Sequence, residues 1–337
     1  MKLATYALLL TLTSLSSFAQ DEVFPLWSGL KIPSNPATLK EPKGLVTRTI
    51  QDARESDYKF LHGAAIVHFK GTLFANWANS PIDENKAHET LQGRRSTDGG
   101  KTWSELEVIG SDLPGADRRS HAAYLKHKGQ LWTFAARFGT GDEPAKRFKG
   151  LQAEAFVLNE KTDKWDSKGI VMKNCWPYEE PVLMGNGNYI VAGQDKDGKP
   201  VCAISHGDDL TQWDTVLIPY PPAMSFNFGE TTVWAEGTEV TAVIRNTTGV
   251  AWVATSIDGG RTWAEARPSN LPMPGSKAYL GMLSTGQLYM VSNLKNRNTL
   301  VVSVGKPGEK SLSSMWRIRH GSSKPVPRFK GHAKSAQ

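Results

Sequence analysis

The sequence predicts an all-β protein, a β-propeller of five to six four-stranded antiparallel blades, and three observations support this prediction. An eight-residue motif occurs twice, at residues 96–103 and 256–263. A longer unit, made of an apolar run, a glycine turn and a second apolar run, recurs about every fifty residues, as propeller blades do. The chain also contains 31 Gly and 11 Trp in 337 residues, a composition that suits many short strands joined by turns.

The repeated motif has the residues of a turn between two strands. It reads Ser-Thr-Asp-Gly-Gly-Lys-Thr-Trp at 96–103 and Ser-Ile-Asp-Gly-Gly-Arg-Thr-Trp at 256–263. The glycines adopt positive φ easily, and the Asp carboxylate can accept hydrogen bonds from backbone N–H groups. Weaker versions lie between the two copies, at 161–165 and 205–213. We therefore expect the motif to determine architecture, with its polar residues occupied by the turn.

The longer unit begins each time with a polar or charged residue at the start of a strand. Successive starts are 59, 59, 50 and 47 residues apart. In a propeller the innermost strand of every blade starts at the same end of the central channel. We therefore expect five side chains to surround one mouth of that channel. They are His62, His121, Glu180, Glu230 and Lys277.

Charged residues at these buried positions are unusual, because a lone charge removed from water loses several kcal/mol of solvation unless it is paired. Charges that converge on a concave mouth are typical of a functional site. The alternative is a structural polar ring that lines a water-filled channel.

The two ends of the chain are expected to lie outside the propeller. Residues 1–20 have the pattern of a secretory signal peptide cleaved near Ala19/Gln20, which predicts a secreted or periplasmic protein. The propeller is assigned to residues 58–320 and a basic tail to 321–337. Residues 21–57, rich in proline and charge, are a candidate segment for closing the ring. No segment is long and apolar enough to cross a membrane.

Charge and cysteine content exclude several classes of partner. The formal net charge of +7 is mild for this length, and its excess lies near the C-terminus. This distribution does not predict a nucleic-acid partner, since basic residues are not interleaved with aromatic ones. Cys175 and Cys202 could form one disulfide, but their spacing is not that of metal ligands. We expect a monomer with no metal and no cofactor.

Three segments resemble a known family. The motif Ser-x-Asp-x-Gly-x-Thr-Trp resembles the Asp box of sialidases and other BNR-repeat propellers. The segment that contains Glu230 and Arg245 is similar to the sialidase segment with a Glu followed by a substrate-binding Arg. The segment around Arg297 looks like the one that holds another of these arginines. The resemblance covers residues 58–320 and implies a glycoside hydrolase that releases a terminal acidic sugar from glycans.

The resemblance also implies roles for individual residues. Arg245 and Arg297 would bind the sugar carboxylate, for which a guanidinium is a planar and permanently charged partner. Asp83 falls where the family has its acid/base Asp, and Glu230 where the family has the base of a Tyr nucleophile. Glu180 and Lys277 are further candidates for substrate binding at the mouth. As structural alternatives, Glu230 and Arg245 would form a plain salt bridge and Asp83 would be a solvated loop acid.

The sequence departs from the family pattern at two places. The first family Arg lies in a Phe/Tyr-Arg-Ile-Pro motif, and this chain has His62 at that place, in Leu-His-Gly-Ala. The family's Tyr nucleophile lies in a blade after the one that corresponds to Arg297. That blade is not evident here, so the last blade is predicted to be missing unless residues 21–57 close the ring.

Two alternative functions remain open. His62 and His121 suit proton abstraction because imidazole changes charge near neutral pH, which favours a lyase or an unusual glycosidase acting on uronic-acid polysaccharides. Hydrogen-bonded structural histidines are the other interpretation. A non-catalytic glycan-binding propeller would use Trp77 and Trp176 as sugar-stacking platforms. In every case the expected partner is an acidic glycan or polysaccharide.

Overall fold

The computed structural model describes residues 23–53, 60–81, 83–86, 88–115, 117–139, 148–224, 226 and 228–321. The predicted signal peptide lies outside the described residues, as does the predicted basic tail after Gly321. The described chain forms β-strands and one short 3-10 helix, Pro36–Thr38. In this part of the protein no helix has the length and apolarity that a membrane crossing requires.

Five antiparallel sheets follow one another along the chain, and each is one blade. Blade 1 contains β1 (Phe60–Phe69), β2 (Thr72–Ser80), β3 (Thr90–Ser96) and β4 (Glu107–Gly110). Blade 2 contains β5 (Asp117–His127), β6 (Gln130–Gly139), β7 (Lys149–Asn159) and β8 (Lys164–Lys173). Blade 3 contains β9 (Trp176–Pro177), β10 (Val182–Leu183), β11 (Tyr189–Gln194), β12 (Pro200–His206) and β13 (Asp209–Leu217). Blade 4 contains β14 (Thr231–Glu236), β15 (Glu239–Ile244), β16 (Val250–Ser256) and β17 (Arg267–Pro272). Blade 5 contains β18 (Tyr279–Met282), β19 (Leu288–Leu294), β20 (Asn296–Val304) and β21 (Ser314–His320).

Two Lys-Gly turns illustrate how the sequence forms these blades. Lys70-Gly71 joins β1 to β2, and Lys128-Gly129 joins β5 to β6. All four residues have positive φ, between 46° and 82°. This is the type I′ geometry, whose twist matches that of antiparallel strands, so each dipeptide closes a tight hairpin.

Successive blades pack face to face through their apolar side chains. One core cluster joins blades 2 and 3, a second joins blades 3 and 4, and a third joins blades 4 and 5. Strand β5 packs on blade 1, and β14 packs on blade 3 and on β18. The first strand of each blade is therefore innermost, and the predicted all-β propeller is confirmed, with five blades in the described residues.

The Asp boxes occupy equivalent places in different blades. The two strong copies join β3 to β4 and β16 to β17, and the weaker versions lie between β7 and β8 and between β12 and β13. In the second box Asp258 accepts hydrogen bonds from Ser256 Oγ, from Thr262 N–H and from Thr262 Oγ1 at 2.6–2.9 Å. Trp263 Nε1 donates to Gly260 O at 2.9 Å. The motif is thus a turn between the third and fourth strands.

The first strand of blade 3 is interrupted. Strands β9 and β10 both pair with β11, and residues 178–181 form the break between them. Gly193 makes the close approach of β9 possible, because a Cβ there would lie 1.8 Å from Trp176 O. Tyr178 keeps one backbone hydrogen bond to Ala192 O of β11 at 3.2 Å, and residues 179–181 depart from the strand ladder.

The N-terminal segment lies against the last two blades. Phe24 forms a parallel bridge with Ser269, and Trp27 forms one with Leu312. Between them, Leu26 is fully buried in the core shared by blades 4 and 5. Within the described part of 21–57, the segment contributes bridges and no strand to the five sheets. Its role in closing the ring stays a prediction.

The two cysteines are both free and buried. Burial raises the pKa of the Cys202 thiol to about 12 and that of Cys175 still further. Both side chains therefore remain protonated at neutral pH and act as small apolar groups in blade 3.

Candidate functional site

Polar and aromatic side chains from all five blades meet around the starts of the inner strands. We call this group the mouth cluster. It consists of His62 and Glu84 from blade 1, His121 from blade 2, Tyr178 and Glu179 from blade 3, Glu230 and Arg245 from blade 4, and Lys277 and Arg297 from blade 5.

The two histidines of the cluster are in contact with each other. The rings of His62 and His121 are 4.8 Å apart in an edge-to-face arrangement. Gly63 permits this approach, since a Cβ at that position would lie 2.1 Å from the His121 ring, and its φ of 66° is one that glycine adopts easily. Both nitrogens of His121 and Nδ1 of His62 are buried without a hydrogen-bond partner among the described residues.

Both imidazoles are neutral at physiological pH. Burial, assisted by the positive charge of Lys277, lowers the pKa of His62 to about 4. Burial also lowers the pKa of His121 well below its usual value, and His62 and Lys277 contribute in the same direction. The change of charge near neutral pH, on which the predicted proton abstraction rests, is therefore absent in the folded protein, because a lowered pKa makes each neutral imidazole a weak base.

An aromatic stack supports His121 and holds Tyr178. The Tyr178 ring is stacked on Trp176 at 5.6 Å, and both rings contact His121, at 5.3 and 4.9 Å. Phe138 and Phe148 pack behind Trp176. Burial raises the pKa of Tyr178 well above its usual value, and the negative charge of Glu230 adds to this effect. Tyr178 is therefore a protonated phenol beside a carboxylate.

Glu230 forms an ion pair with Arg245 across the inner edge of blade 4. Arg245 Nη1 lies 2.5 Å from Glu230 Oε2, and both side chains are mostly buried. The Arg245 guanidinium also lies 5.1 Å from the Phe228 ring centroid. The structure thus forms the salt bridge that the sequence left as an alternative, and it does so within the mouth cluster.

Arg297 reaches the same region from blade 5. Its Nε is buried without a hydrogen-bond partner, and the guanidinium has no ion pair with any residue that the structure describes. Burial lowers the pKa of Arg297, and the positive charge of Arg245 lowers it further, while Glu230 and Glu84 oppose both effects. Two guanidinium groups therefore lie near each other, and only one has a carboxylate partner in the described chain.

Lys277 and Glu179 occupy the centre of the cluster. Lys277 Nζ donates to Tyr178 O at 3.0 Å and lies 5.2 Å from the Tyr178 ring centroid. Burial lowers the pKa of Lys277, while Glu230 and Glu179 oppose this effect. Burial raises the pKa of Glu179 to about 8, although hydrogen bonds from blades 4 and 5 favour its ionised form.

A loop between β2 and β3 brings carboxylates to the cluster. Glu84 Oε1 lies 3.4 Å from His62 Nε2. The preceding residue, Asp83, is buried, and its Oδ1 accepts a hydrogen bond from the Glu84 N–H at 2.8 Å. At the end of the loop, Glu89 is fully buried and accepts the Asn85 N–H at 2.8 Å. Burial raises the pKa of Glu89 to about 7.

Of the eight site residues that the sequence predicts, six belong to the mouth cluster. The two others are Asp83, whose neighbour Glu84 contacts His62 instead, and Glu180. Glu180 is half-buried, and its electrostatic partners are Lys126, Tyr189 and Tyr279, which lie outside the cluster. The break in blade 3 explains this difference, because successive residues of irregular chain need not point the same way.

The prediction that Trp77 and Trp176 are sugar-stacking platforms is wrong. Their side chains are only 5% and 2% exposed, so a sugar ring cannot lie against them. Trp176 instead supports His121 and Tyr178 from below. Trp77 lies within β2 and not at a strand end, so the position that suggested a platform was itself misassigned.

Sequence reasoning missed three members of the cluster. Tyr178 and Glu179 precede the predicted marker Glu180, and Glu84 follows the predicted Asp83. The only available signal was that each lies one or two residues from a predicted site residue. Among the described residues, no three His, Cys, Asp or Glu side chains are arranged to hold a metal ion.

The family of the protein follows from a comparison with known domains. A family model described as a BNR repeat-like domain matches residues 71–327. The chain belongs to this family. A search of curated protein sequences finds no significant match for this BNR repeat-like protein.

Solved structures share the fold of this BNR repeat-like protein. A protein of unknown function from Dyadobacter fermentans is 15% identical, with a TM-score of 0.61, and the match covers 77% of this chain and 83% of that one. A Hadza microbial sialidase is 18% identical with a TM-score of 0.63, covering 80% and 60% of the two chains. The intramolecular trans-sialidase from Ruminococcus gnavus, in complex with oseltamivir carboxylate, is 12% identical with a TM-score of 0.60, covering 79% and 86%.

These identities establish the fold alone. The chain spans less than two thirds of the length of the Hadza sialidase. The resemblance to sialidase-type, BNR-repeat propellers that the sequence predicted is confirmed at the level of family and architecture.

Proposed function

We propose that this protein is a glycan-active enzyme that hydrolyses the bond to a terminal acidic sugar. The observation that supports this proposal is the pair of guanidinium groups at the mouth. Arg245 is paired with Glu230, whereas Arg297 has a buried Nε and no ion pair among the described residues. A half-buried guanidinium beside a second one favours an anion, and a planar carboxylate matches its paired donors.

The same cluster contains the groups that glycoside hydrolysis requires. Tyr178 is the proposed nucleophile, because it is a mouth-cluster phenol on which the charge of the Glu230 carboxylate acts. In the first step the Tyr178 oxygen bonds to the anomeric carbon and its proton passes to Glu230. The leaving oxygen takes a proton from an acid as its bond to that carbon breaks. Water then attacks the anomeric carbon and gives one proton to the deprotonated acid, while the Tyr178 oxygen leaves the sugar and takes back the proton that Glu230 held.

The acid is assigned to the loop between β2 and β3. Asp83 is the candidate from its place in the sequence, and Glu84 is favoured by its contact with His62. Asp83→Asn and Glu84→Gln separate them, because replacement of the true acid lowers turnover most for substrates with poor leaving groups.

The test is release of a fluorophore from a sialoside and from other carboxylated glycosides. Wild-type protein is expected to release it, and Tyr178→Phe and Arg297→Gln are expected to be strongly impaired. A wild-type protein that releases no fluorophore from any carboxylated glycoside would exclude hydrolysis.

A second candidate, a uronate lyase, is favoured by the contact of His62 with Glu84. His62 Nε2 lies 3.4 Å from Glu84 Oε1, and this carboxylate would stabilise the imidazolium that forms when the ring takes a proton. In this reaction a histidine removes the proton next to the carboxylate, the leaving oxygen departs with a proton from Tyr178, and a double bond forms. The experiment is ultraviolet absorbance of an unsaturated uronate after incubation with uronic-acid polysaccharides. Absorbance that is lost in His62→Gln would support the lyase over the hydrolase.

A further inference from the structure

Glu179 is bonded to two other blades at once. Its carboxylate accepts hydrogen bonds from Thr232 Oγ1 and from the Val233 N–H, both in blade 4. It also lies 3.4 Å from the Leu280 nitrogen of blade 5, whose N–H donates to Thr232 Oγ1 at 2.9 Å. One carboxylate and one hydroxyl therefore connect three blades.

Each contact lies next to a member of the mouth cluster. Glu179 directly follows Tyr178. Its blade 4 partners come two and three residues after Glu230, and its blade 5 partner comes three residues after Lys277. The placement of these three side chains relative to one another therefore depends on the same small network.

The break in blade 3 makes this network possible. The Tyr178 N–H still donates to Ala192 O of β11 at 3.2 Å, and the chain then leaves the strand ladder until Val182, which allows Glu179 to contact blades 4 and 5. The Tyr178 carbonyl accepts the Lys277 ammonium at 3.0 Å, which adds a second connection between blades 3 and 5. If the first strand of blade 3 were continuous, the backbone groups of these residues would pair with β11 within the same sheet.

Burial of Glu179 is energetically costly. The side chain is 5% exposed, and a carboxyl group removed from water is unfavourable unless hydrogen bonds replace its solvation. An apolar residue of similar size would join the blades without this cost. The retained carboxylate therefore supports a role that directional hydrogen bonds perform and apolar packing does not.

We propose that Glu179 is a positioning residue, which acts through the Thr232 hydroxyl to hold Tyr178, Glu230 and Lys277 in register for catalysis. The catalytic part of this inference rests on the proposed function. The positioning part concerns only the arrangement of the three blades.

Two substitutions of Thr232 test the proposal in opposite directions. Thr232→Val keeps the shape of the side chain and removes the hydroxyl, whereas Thr232→Ser keeps the hydroxyl and removes the methyl group. We expect Thr232→Val to lower kcat by roughly 10–100-fold, since a misplacement near 1 Å has effects of this size. Thr232→Ser is expected to retain kcat within about threefold of wild type. If only packing matters, Thr232→Ser will be the weaker enzyme, and the proposal is wrong.

Glu179→Met should behave as Thr232→Val, because it keeps an unbranched side chain of similar length and removes both oxygens from the network. Glu154→Gln is the control for a general loss of stability. Glu154 is equally buried and accepts hydrogen bonds from Arg119 and Ser167, neither of which belongs to the mouth cluster. The Glu154→Gln substitution is expected to lower the melting temperature and to leave kcat unchanged at a temperature where the protein is folded.

A measurement without substrate separates this inference from the proposed function. The charge of Lys277 contributes to the low pKa of His62, so the titration of that imidazole, followed by NMR, reports the position of Lys277. In Thr232→Val the pKa of His62 should rise from about 4 towards its ordinary value, and in Thr232→Ser it should not. If wild type hydrolyses no acidic glycoside and this difference persists, the proposed function fails and the positioning role stands. If the two variants titrate alike, the positioning role is overturned.

Discussion

In both the Asp-box turns and the mouth cluster, a carboxyl group accepts hydrogen bonds, but its partners are near in sequence in the turns and distant in the cluster. Asp258 finds all its described hydrogen-bond partners between Ser256 and Thr262, within one turn. Glu179 finds its nearest described partner 53 residues away, in another blade. The box is therefore a local structure, whereas the cluster exists only when the ring of blades is assembled.

Their electrostatics differ in the same way. Hydrogen bonds from Thr262 lower the pKa of the exposed Asp258 to about 2. Burial raises the pKa of Glu179 to about 8 and that of Glu89 to about 7. Solvent and local donors favour the charged form, and removal from water favours the neutral form. The comparison indicates that the Asp-box carboxylates are stabilised within their own turns, whereas the protonation of Glu179 and Glu89 is determined by their burial.

The largest expected effect is that of Tyr178→Phe, which removes one oxygen atom from the cluster. We expect kcat to fall on the order of 10²–10⁴-fold, the contribution typical of a positioned proton-transfer group. The melting temperature should change little, since the stacked ring remains. Tyr220→Phe, in the core between blades 3 and 4, is the matched control and should keep full activity. Equal activity of the two variants would remove Tyr178 from the mechanism.

A smaller effect is expected when Arg297 of the mouth cluster is replaced, and almost none when Arg261 of the second Asp box is replaced. Arg297→Gln should lower kcat/KM for a carboxylated substrate by roughly 10–100-fold, because a hydrogen bond to a charged group contributes about 1.5–3 kcal/mol. Arg261→Gln, in the second Asp box, breaks an exposed pair with Asp214 and should change stability by less than about 1 kcal/mol. Steady-state kinetics of both variants measure the contrast. An equal loss of kcat/KM in Arg261→Gln would contradict a specific role of Arg297, because removal of any positive charge would then have the same effect.

The Asp box itself should affect stability and not catalysis. Asp258→Asn weakens the acceptor of the turn between β16 and β17, and the melting temperature is expected to fall by a few degrees, since such a loss is on the order of 1 kcal/mol. The value of kcat at moderate temperature should equal that of wild type. Calorimetry and kinetics on the same sample measure both quantities. A loss of kcat with an unchanged melting temperature would contradict the separation of the two regions.

A further effect is expected in the pH dependence of stability. The pKa of His62 is about 4 in the folded protein and about 6.5 when unfolded. Between these values the unfolded chain binds a proton that the folded one does not, so the free energy of unfolding falls as pH is lowered from 6.5 towards 4. One group contributes a slope of at most about 1.4 kcal/mol per pH unit. Urea denaturation of His62→Gln should give a flatter curve in this window.

The box carboxylate provides the contrast in the same experiment. Its folded pKa of about 2 lies below the ordinary value of 3.8, so its contribution is present above pH 3.8 and is lost only as pH falls towards 2. Asp258→Asn should therefore keep the wild-type slope between pH 4 and 6.5. A change of slope in that window would show that the box is coupled to the histidines.

The predictability of the site also differs among its members. His62, His121, Glu230 and Lys277 were identifiable because each begins a unit of about fifty residues, and the period itself predicts a common mouth. Tyr178 and Glu179 were not identifiable in this way. They lie in the break of a strand, where residue spacing no longer determines the direction of a side chain.

Glycine-rich turns, apolar strand runs and their period were enough to determine the class of fold and the number of blades to within one, because hairpins depend on residues close in the chain. Only the tertiary structure decided which residues contact each charged side chain of the mouth cluster. The burial of Glu179, the contact of His62 with His121 and the meeting of Arg245 with Arg297 each join different blades. Their pKa values depend on desolvation and on neighbours across the channel, and neither exists until the blades have packed.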